Sequence, residues 1–373
     1  MEKKIRIVSF QNAYNFGAVL QAYGLQQTIK SMGYNDVKFI NYNPKYLSDR
    51  YTPLLLKYFF PSRNLRGFLT WFVSYPYFFV SRIRRNNKFK YSIRSLLEQT
   101  DALIVDQGGL MREEADILIC GSDQIWNTSL TGDFDRVFFG QGPYKYLGSA
   151  SSYAPSTELS ALTDTKAKYL SSLLEGLSHI SVRETQIKDI LLKYTSRTIN
   201  VCVDPTILSG VDVFNSIASQ RLEKKDYIVV YAYNPNDPLI LDLIKKIPDY
   251  QQYRVHTILL DSKTIHGIFK NNIHSAITVH DFISYIKYSK YVVTNSFHGL
   301  AFSLLFEKNF NVAFCEGKYV RCQSLLQQLG IENRLVHEGC PIEWNELNYS
   351  EICIKIKAMR KDSLDYLKTI LKD

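Results

Sequence analysis

The sequence lacks three features, each of which would by itself have indicated a class of protein. It has no uninterrupted apolar run long enough to span a bilayer. None of its six cysteines stands in a Cys-x-x-Cys pair, and its histidines and carboxylates form no cluster with metal-ligand spacing. We therefore expect no membrane-spanning helix, no disulfide, no metal site and no other bound cofactor.

The amino-terminal segment reaches a polar turn after residue 10, too soon for the apolar core of a secretory signal. Cys120 and Cys202 lie in apolar strand patterns and are expected to be buried thiols. Both features favour the reducing cytoplasm. The protein is expected there either free or peripheral on the inner face of the membrane.

Positive charge exceeds negative charge, with 45 Lys and Arg against 36 Asp and Glu and a net charge of +9. Such an excess favours an acidic partner, which can be nucleic acid, an anionic membrane or a phosphorylated substrate. No single Lys/Arg run dominates, and no RNA-binding sheet signature with paired aromatic residues is present. We therefore expect no nucleic-acid partner.

Strand and helix patterns alternate along the 373 residues, which predicts an α/β protein of two domains. Residues 207–226 carry mixed charge with little strand signal. We place the domain boundary there, with one domain over residues 1–208 and a second over residues 226–345.

The first predicted unit is a strand over residues 5–10, a polar loop and a helix over residues 18–32. The loop is not G-x-G-x-x-G, so dinucleotide binding is poorly supported. Tyr14, Asn15 and Gln21 instead offer hydroxyl and amide groups that suit a sugar. A plain connecting loop is the alternative.

The most informative turn lies between a β-branched strand at residues 291–294 and an apolar helix from residue 300. Asn295, Ser296, His298 and Gly299 lie in this turn. A strand-to-helix turn aims backbone N–H groups and the positive end of a helix at one point, which suits an anion such as phosphate. The histidine adds a group that exchanges protons near neutral pH. A histidine that caps a core helix is the alternative.

Two further strand ends carry charged side chains. Arg183 follows a strand pattern at residue 180, and its planar fork suits carboxylate or phosphate, although an ion pair with a neighbouring carboxylate explains it equally. Asp123 and Gln124 follow a strand at residues 115–121. The carboxylate can bind sugar hydroxyls or act as general base, or it can cap the following turn.

An insertion at residues 52–90 interrupts the α/β rhythm. Within it, residues 68–85 join aromatic and apolar residues to a basic end. Aromatic residues beside cations are typical of a membrane-surface segment. A helical insertion that packs on the first domain and exposes its arginines is the alternative.

Five segments together resemble the polysaccharide pyruvyl transferase family, in order and spacing. They are residues 10–23 (FQNAYNFGAVLQAY), 121–127 (GSDQIWN), 181–184 (SVRE), 203–206 (VDPT) and 296–299 (SFHG). The resemblance implies two Rossmann-like domains facing a cleft, as in the GT-B glycosyltransferases. It also implies transfer of pyruvate from phosphoenolpyruvate, as co-substrate, to a sugar with formation of a ketal and release of phosphate.

The same resemblance implies roles for individual residues. Arg183 and His298 are the expected catalytic pair. The second domain is the expected donor side, and the expected donor-binding residues are Arg183, Asn295, Ser296, His298 and Gly299. The acceptor site on the first domain comprises Tyr14, Asn15, Gln21, Asp123, Gln124 and Trp126. The expected partners are a lipid-linked sugar acceptor and a membrane surface that is reached through residues 68–85. The helical tail at residues 346–373 is expected to pack back on the first domain.

Two other functions are compatible with these residues. A nucleotide-sugar glycosyltransferase of the same architecture would need a nucleobase pocket and a pyrophosphate contact. A non-catalytic, membrane-associated module of a polysaccharide assembly complex would tolerate loss of Arg183 and His298.

Overall fold

The computed structural model describes residues 3–52, 65–159, 162–259, 272–317 and 319–373, with the backbone alone for residues 65–78. The chain divides into two compact units. Unit 1 comprises Met1–Asp49, Ile93–Ser216 and Asn348–Asp373, and unit 2 comprises Arg50–Ser92 and Ile217–Leu347.

Strands and helices alternate through the described residues. The strands are β1 Ile5–Val8, β2 Val37–Phe39, β3 Glu114–Cys120, β4 Tyr146–Ser152, β5 Ile180–Val182, β6 Ile199–Val201, β7 Tyr227–Ala232, β8 Arg254–Leu259, β9 Ile273–His274, β10 Tyr291–Thr294, β11 Asn309–Ala313 and β12 Leu335–Val336. The α-helices are α1 Phe16–Ser31, α2 Lys45–Ser48, α3 Leu65–Leu96, α4 Thr128–Thr131, α5 Asp164–Glu175, α6 Thr185–Leu191, α7 Pro205–Ser209, α8 Val211–Asn215, α9 Pro238–Lys245, α10 Val279–Lys287, α11 Phe297–Leu305, α12 Val320–Leu329 and α13 Tyr349–Ile370.

The sheet of unit 1 is parallel, with the order β2-β1-β3-β4 among the described residues and a separate parallel pair of β5 and β6. Every residue of β1 is buried, as a parallel strand covered on both faces requires. After β1 the chain forms β2 on one side of β1, and it later forms β3 on the other side of β1. The sheet therefore has its topological switch point between the carboxyl ends of β1 and β3, where open α/β sheets bind ligands.

The sheet of unit 2 is also parallel, with the order β12-β11-β10-β7-β8-β9 among the described residues. All six residues of the central strand β7 are buried. The chain builds outward from β7 through β8 to β9 and then returns to add β10 on the opposite side of β7. The switch point of unit 2 thus lies between the ends of β7 and β10. The predicted α/β class is confirmed, with one parallel sheet at the centre of each unit.

The last helix, α13, packs on unit 1. The hydroxyl of Tyr366 donates to the carbonyl of Ser152 at 2.7 Å, and the backbone N–H of Val203 donates to Ser363 Oγ at 3.0 Å. Tyr366, Leu367 and Ser363 are buried, because α13 covers the carboxyl ends of β4 and β6.

The structure differs from the alternative in which the insertion packs on the first domain and exposes its arginines. Its residues 53–64 lie outside the described part of the chain, and the rest belongs to α3. Arg50–Ser92 group with unit 2, whereas the sequence placed residues 52–90 in the first domain. Arg85, expected to be exposed, is buried and donates to the carbonyls of Leu259 at 2.9 Å and Ser275 at 3.2 Å. Among the described residues, no helix combines the length and the apolar character needed to cross a membrane.

Candidate functional site

The switch point of unit 2 holds the turn that the sequence predicts as an anion site. β10 ends at Thr294, and α11 begins two residues after Asn295. Asn295 Oδ1 accepts a hydrogen bond from the backbone N–H of Tyr233 at 2.9 Å, which ties the end of β10 to the end of β7. Ser296 takes the N-cap position of α11 without a side-chain capping bond. Asn295 and Ser296 are therefore brought together at the positive end of this helix.

Gly299 is needed for packing in this turn. A methyl group added at its Cα would overlap the Thr294 hydroxyl oxygen. That hydroxyl is fixed, because it donates to the carbonyl of Tyr231 at 2.6 Å and accepts from the N–H of Ser296 at 3.0 Å. The first turn of α11 thus lies directly against the end of β10, and only glycine leaves enough room.

His298 occupies the first turn of α11 and is 6% exposed. Its ring meets that of Phe297 edge to face, with 5.4 Å between centroids. A buried imidazole at the positive end of a helix is placed to donate a proton to an anion bound at that end. The four residues predicted for this turn lie together between the end of β10 and the first turn of α11.

The switch point of unit 1 holds Asp123. The backbone of Asp123 is left-handed, with φ of 76°, a conformation that aspartate tolerates better than most residues. Asp123 Oδ1 accepts from the N–H of Gln124 at 2.9 Å, so the predicted turn-capping role is present. Among the described residues no donor reaches Oδ2, and the side chain is half-buried. Gln124 is also half-buried and donates to Glu158 Oε1 at 2.8 Å.

Arg183 lies in the same unit and is enclosed by carboxylates. Its Nη1 donates to Asp204 Oδ2 at 2.6 Å, its Nε donates to Glu184 Oε1 at 2.8 Å, and its side chain is 3% exposed. Burial opposes the charge of the guanidinium, but Glu184, Asp204 and Asp123 outweigh that effect and hold the pKa of Arg183 above its ordinary value. Asp204 in turn caps α7 by accepting from the N–H of Thr206 at 2.9 Å.

This environment favours the ion-pair interpretation of Arg183 over the predicted anion grip. One positive charge faces Asp204 and Glu184 at hydrogen-bond distance, with the field of Asp123 added. The cluster therefore carries net negative charge and would repel a phosphate rather than hold one. Arg183 belongs to unit 1, whereas His298 belongs to unit 2.

Two of the predicted acceptor residues are internal. The amide of Gln21 is fully buried and donates to Ser9 Oγ and to the carbonyl of Ala18, both at 3.0 Å. Trp126 is 1% exposed and stacks on Phe139 with 4.8 Å between centroids. Their burial does not favour the predicted sugar contacts, because neither side chain reaches the surface of unit 1.

The other two predicted acceptor residues are half-buried. Asn15 is the N-cap of α1, and its Oδ1 accepts from the N–H of Ala18 at 3.2 Å. Burial raises the pKa of the Tyr14 hydroxyl, so it stays protonated and can act as a hydrogen-bond donor. Both residues follow β1 and share the switch point with Asp123.

The sequence interpretation missed the partners of Arg183. It gave no role to Asp204 or to Glu184. Ser122 Oγ extends the network from the end of β3, because it lies 3.4 Å from Asp204 Oδ2. The segments 181–184 and 203–206 both belong to the family resemblance, and that shared membership was the available signal that they meet. Among the described residues, no group of three or more His, Cys, Asp or Glu side chains could hold a metal ion.

Among the comparisons with known proteins, the family profile described below identifies the family. No curated protein matches the chain in sequence. Solved structures that resemble it include an uncharacterized protein from Klebsiella pneumoniae (14% identity, TM-score 0.37, covering 70% of this chain and 86% of that one). The calicheamicin glycosyltransferase CalG4 is 10% identical, with a TM-score of 0.41 over 100% of this chain and 99% of that one. A putative UDP-N-acetylglucosamine 2-epimerase from Listeria monocytogenes is 11% identical, with a TM-score of 0.41 over 98% and 90%.

The sequence profile of one family matches residues 15–312 and so spans α1 to β11, with Asp123, Arg183 and His298 all inside it. The match covers most of the chain and includes the ends of β3, β7 and β10. The chain belongs to the polysaccharide pyruvyl transferase family, a family of transferases that act on polysaccharide.

Proposed function

We propose that this protein transfers pyruvate from phosphoenolpyruvate to a sugar of a lipid-linked polysaccharide precursor, closes a pyruvate ketal and releases phosphate. The observation that carries the proposal is the position of His298, buried in the first turn of α11 at the switch point of unit 2. Family membership supports transfer to polysaccharide. The site itself supports a small anionic donor.

The turn before α11 suits phosphoenolpyruvate because that donor carries a phosphate and a carboxylate on a small carbon frame. The positive end of a nine-residue helix attracts either group. Asn295 and Ser296 are buried beside it, so few water molecules compete for the hydrogen bonds. Among Asn295, Ser296, His298 and Gly299 there is no carboxylate that would repel the donor.

The reaction requires two additions at C2 of the donor. A proton adds to the methylene carbon C3, C2 becomes cationic, and a sugar hydroxyl attacks C2 and loses its proton. The bond from C2 to the phosphate oxygen then breaks, and a second hydroxyl attacks C2 and loses its proton as the ketal closes. One hydroxyl proton balances the proton gained by C3, and the other leaves with phosphate. His298 either protonates C3 or pairs with the phosphate and protonates it on departure.

Unit 1 supplies the acceptor side in this proposal. Asp123 presents an oxygen that no described donor reaches, and it can take a proton from a sugar hydroxyl. Tyr14, Asn15 and Gln124 surround the same switch point with polar groups. Arg183 acts as a positioning residue, because it joins the end of β5 to Asp204 at the start of α7 and leaves a net negative charge that suits hydroxyl groups.

A phosphate-release assay tests the proposal. The purified chain should release inorganic phosphate from phosphoenolpyruvate only when a sugar acceptor is present. It should keep this activity in a strong chelator, because no metal takes part in the proposed steps. Phosphoenolpyruvate should also raise the melting temperature by mass action. Asp123→Asn should lower kcat and leave the donor-induced shift unchanged.

Two results would replace the proposal. Stabilisation by a nucleotide sugar without stabilisation by phosphoenolpyruvate would indicate a glycosyltransferase. Absence of turnover with every acceptor, together with normal biological function of a His298→Ala chain, would indicate a non-catalytic module.

A further inference from the structure

The long helix α3 carries most of the net charge of the protein. Its 32 residues include seven Lys and Arg and no Asp or Glu. The whole chain has a net charge of +9. This one helix contributes +7, and the rest of the chain is nearly balanced. A helix of one charge sign is destabilised by its own repulsion unless part of the charge is neutralised from outside.

The described part of α3 separates into two faces. One face is buried in unit 2 and contains Arg85, Phe89 and Ser92. The Arg85 guanidinium lies over the Phe89 ring, 4.9 Å from its centroid, and Ser92 Oγ accepts from the N–H of Val279 at 3.2 Å. Arg85 has its hydrogen bonds inside the protein, so it is not available to a partner.

The other face, one residue earlier in each turn, is exposed and contains Val80, Arg84, Lys88 and Tyr91. Lys90 is also exposed and lies about 100° around the helix from Tyr91. The spacing of four, four and three residues places the first four on one side of a helix. Tyr91 is 61% exposed and Val80 is 46% exposed. Among the described residues, no carboxylate pairs with Arg84, Lys88 or Lys90. We call this set of five residues the basic face of α3.

We propose that the basic face of α3 binds the surface of a bilayer that contains anionic phospholipid. Cations beside an exposed tyrosine and an exposed aliphatic side chain match the boundary between headgroups and acyl chains, where charge attraction and shallow apolar insertion act together. The sequence just before this face, residues 68–79, contains seven aromatic residues, which favours a bilayer over nucleic acid. The binding does not depend on the transfer reaction and is measured without turnover.

The decisive experiment is vesicle co-sedimentation of the full chain. The vesicles are phosphatidylcholine alone and phosphatidylcholine with phosphatidylglycerol in equal parts. The wild type should sediment with the mixed vesicles and not with phosphatidylcholine alone. Binding should fall steeply as salt is added, because the Debye length shrinks to about 3 Å at 1 M.

Substitutions distinguish the effect of the basic face on vesicle binding from the effect of the total charge. The triple variant Arg84→Gln/Lys88→Gln/Lys90→Gln should lose binding on the order of a hundredfold, since each cation near an anionic surface contributes roughly a fivefold effect. The control variant Lys224→Gln/Lys245→Gln/Lys246→Gln removes the same charge from three exposed positions of unit 2 and should bind like the wild type. Unchanged melting temperatures would show that both variants are folded.

Three results would overturn the proposal. The first is a wild type that ignores the mixed vesicles. The second is an equal loss of binding in the triple variant and its control, which would show that net charge alone acts. The third is tighter binding to a single-stranded RNA than to the mixed vesicles at the same salt, which would assign the basic face to nucleic acid instead.

Discussion

The two switch points of this protein differ in the groups that hold them together, which are charged in unit 1 and neutral in unit 2. In unit 1 the strand ends are joined through charges, with Arg183 held between Asp204 and Glu184 and influenced by Asp123. In unit 2 the turn is joined through neutral groups, with Thr294, Asn295 and Gly299 packed against backbone. A turn with surplus carboxylates suits hydroxyl groups, whereas a neutral turn at a helix amino end suits an anion. The same sheet topology therefore provides two chemically different sites.

The largest expected effect concerns His298, at the neutral switch point of unit 2. His298→Ala should lower turnover by about 10²–10⁴-fold, the usual contribution of a positioned acid or base. The free energy of unfolding should change little relative to that loss. Phosphate release measures the rate, and the exposed His337→Ala variant in the same unit is the control. Near-wild-type turnover of His298→Ala would show that the reaction does not depend on the His298 turn of unit 2.

The second prediction concerns the charged cluster around Arg183 in unit 1. Arg183→Ala should lower the free energy of unfolding by about 3–5 kcal/mol, because it leaves the buried carboxylates of Asp204 and Glu184 without their partner. Asp204→Asn should cost less, because Glu184 still pairs with Arg183. The exposed pair of Arg254 and Glu223 provides the contrast, since Arg254→Ala should cost less than about 1 kcal/mol. Denaturant titration measures all three variants.

The same variants distinguish a positioning role of Arg183 from direct donor binding. If Arg183 positions the strand ends, Arg183→Ala should leave the melting-temperature shift caused by phosphoenolpyruvate intact. If Arg183 instead grips the donor, Asp204→Asn should strengthen that shift by freeing the guanidinium, and the contrast between the two turns would fail.

The third prediction concerns the neutral turn. Gly299→Ala should destabilise the protein by about 1–3 kcal/mol, because the added methyl group overlaps the Thr294 hydroxyl. The cost should be smaller in a Thr294→Ala background, where the overlap is relieved, and a double-mutant cycle measures this coupling. Strict additivity would show that the close approach of α11 to β10 is not the reason for glycine.

The smallest effect separates capping from sugar binding at the switch point of unit 1. Asn15→Ala should cost about 0.5–2 kcal/mol through loss of the N-cap of α1, and Asn15→Asp should restore that stability. If Asn15 also contacts the acceptor, Asn15→Asp should still raise KM for the sugar. Equal KM values for Asn15→Asp and the wild type would limit Asn15 to the cap.

The sequence predicted the strands and the turn at His298 well because their signals are local. The predicted strand at residues 291–294 is β10, and the predicted helix at residues 18–32 lies within two residues of α1 at its start and one at its end. The strand order was not predictable in this way, since it depends on contacts between distant segments. The switch points, the pairing of Arg183 with Asp204, and the burial of Gln21 and Trp126 all follow from that order.

The arginines of α3 show the same limit on a smaller scale. Arg84 and Arg85 are adjacent in the sequence and look alike there. Only the position of unit 2 along one side of the helix makes the first exposed and the second internal. Composition predicts that such a helix is basic, but it does not predict which of its cations meet a partner.

The division of the chain has a consequence for its synthesis. Unit 1 is assembled from three stretches, and α13 is the last of them to leave the ribosome. Until it does, the carbonyl of Ser152 and the N–H of Val203 lack their partners on Tyr366 and Ser363. Unit 2, made of two stretches that end at Leu347, is complete before that moment. We therefore expect the half that emerges first to finish folding last.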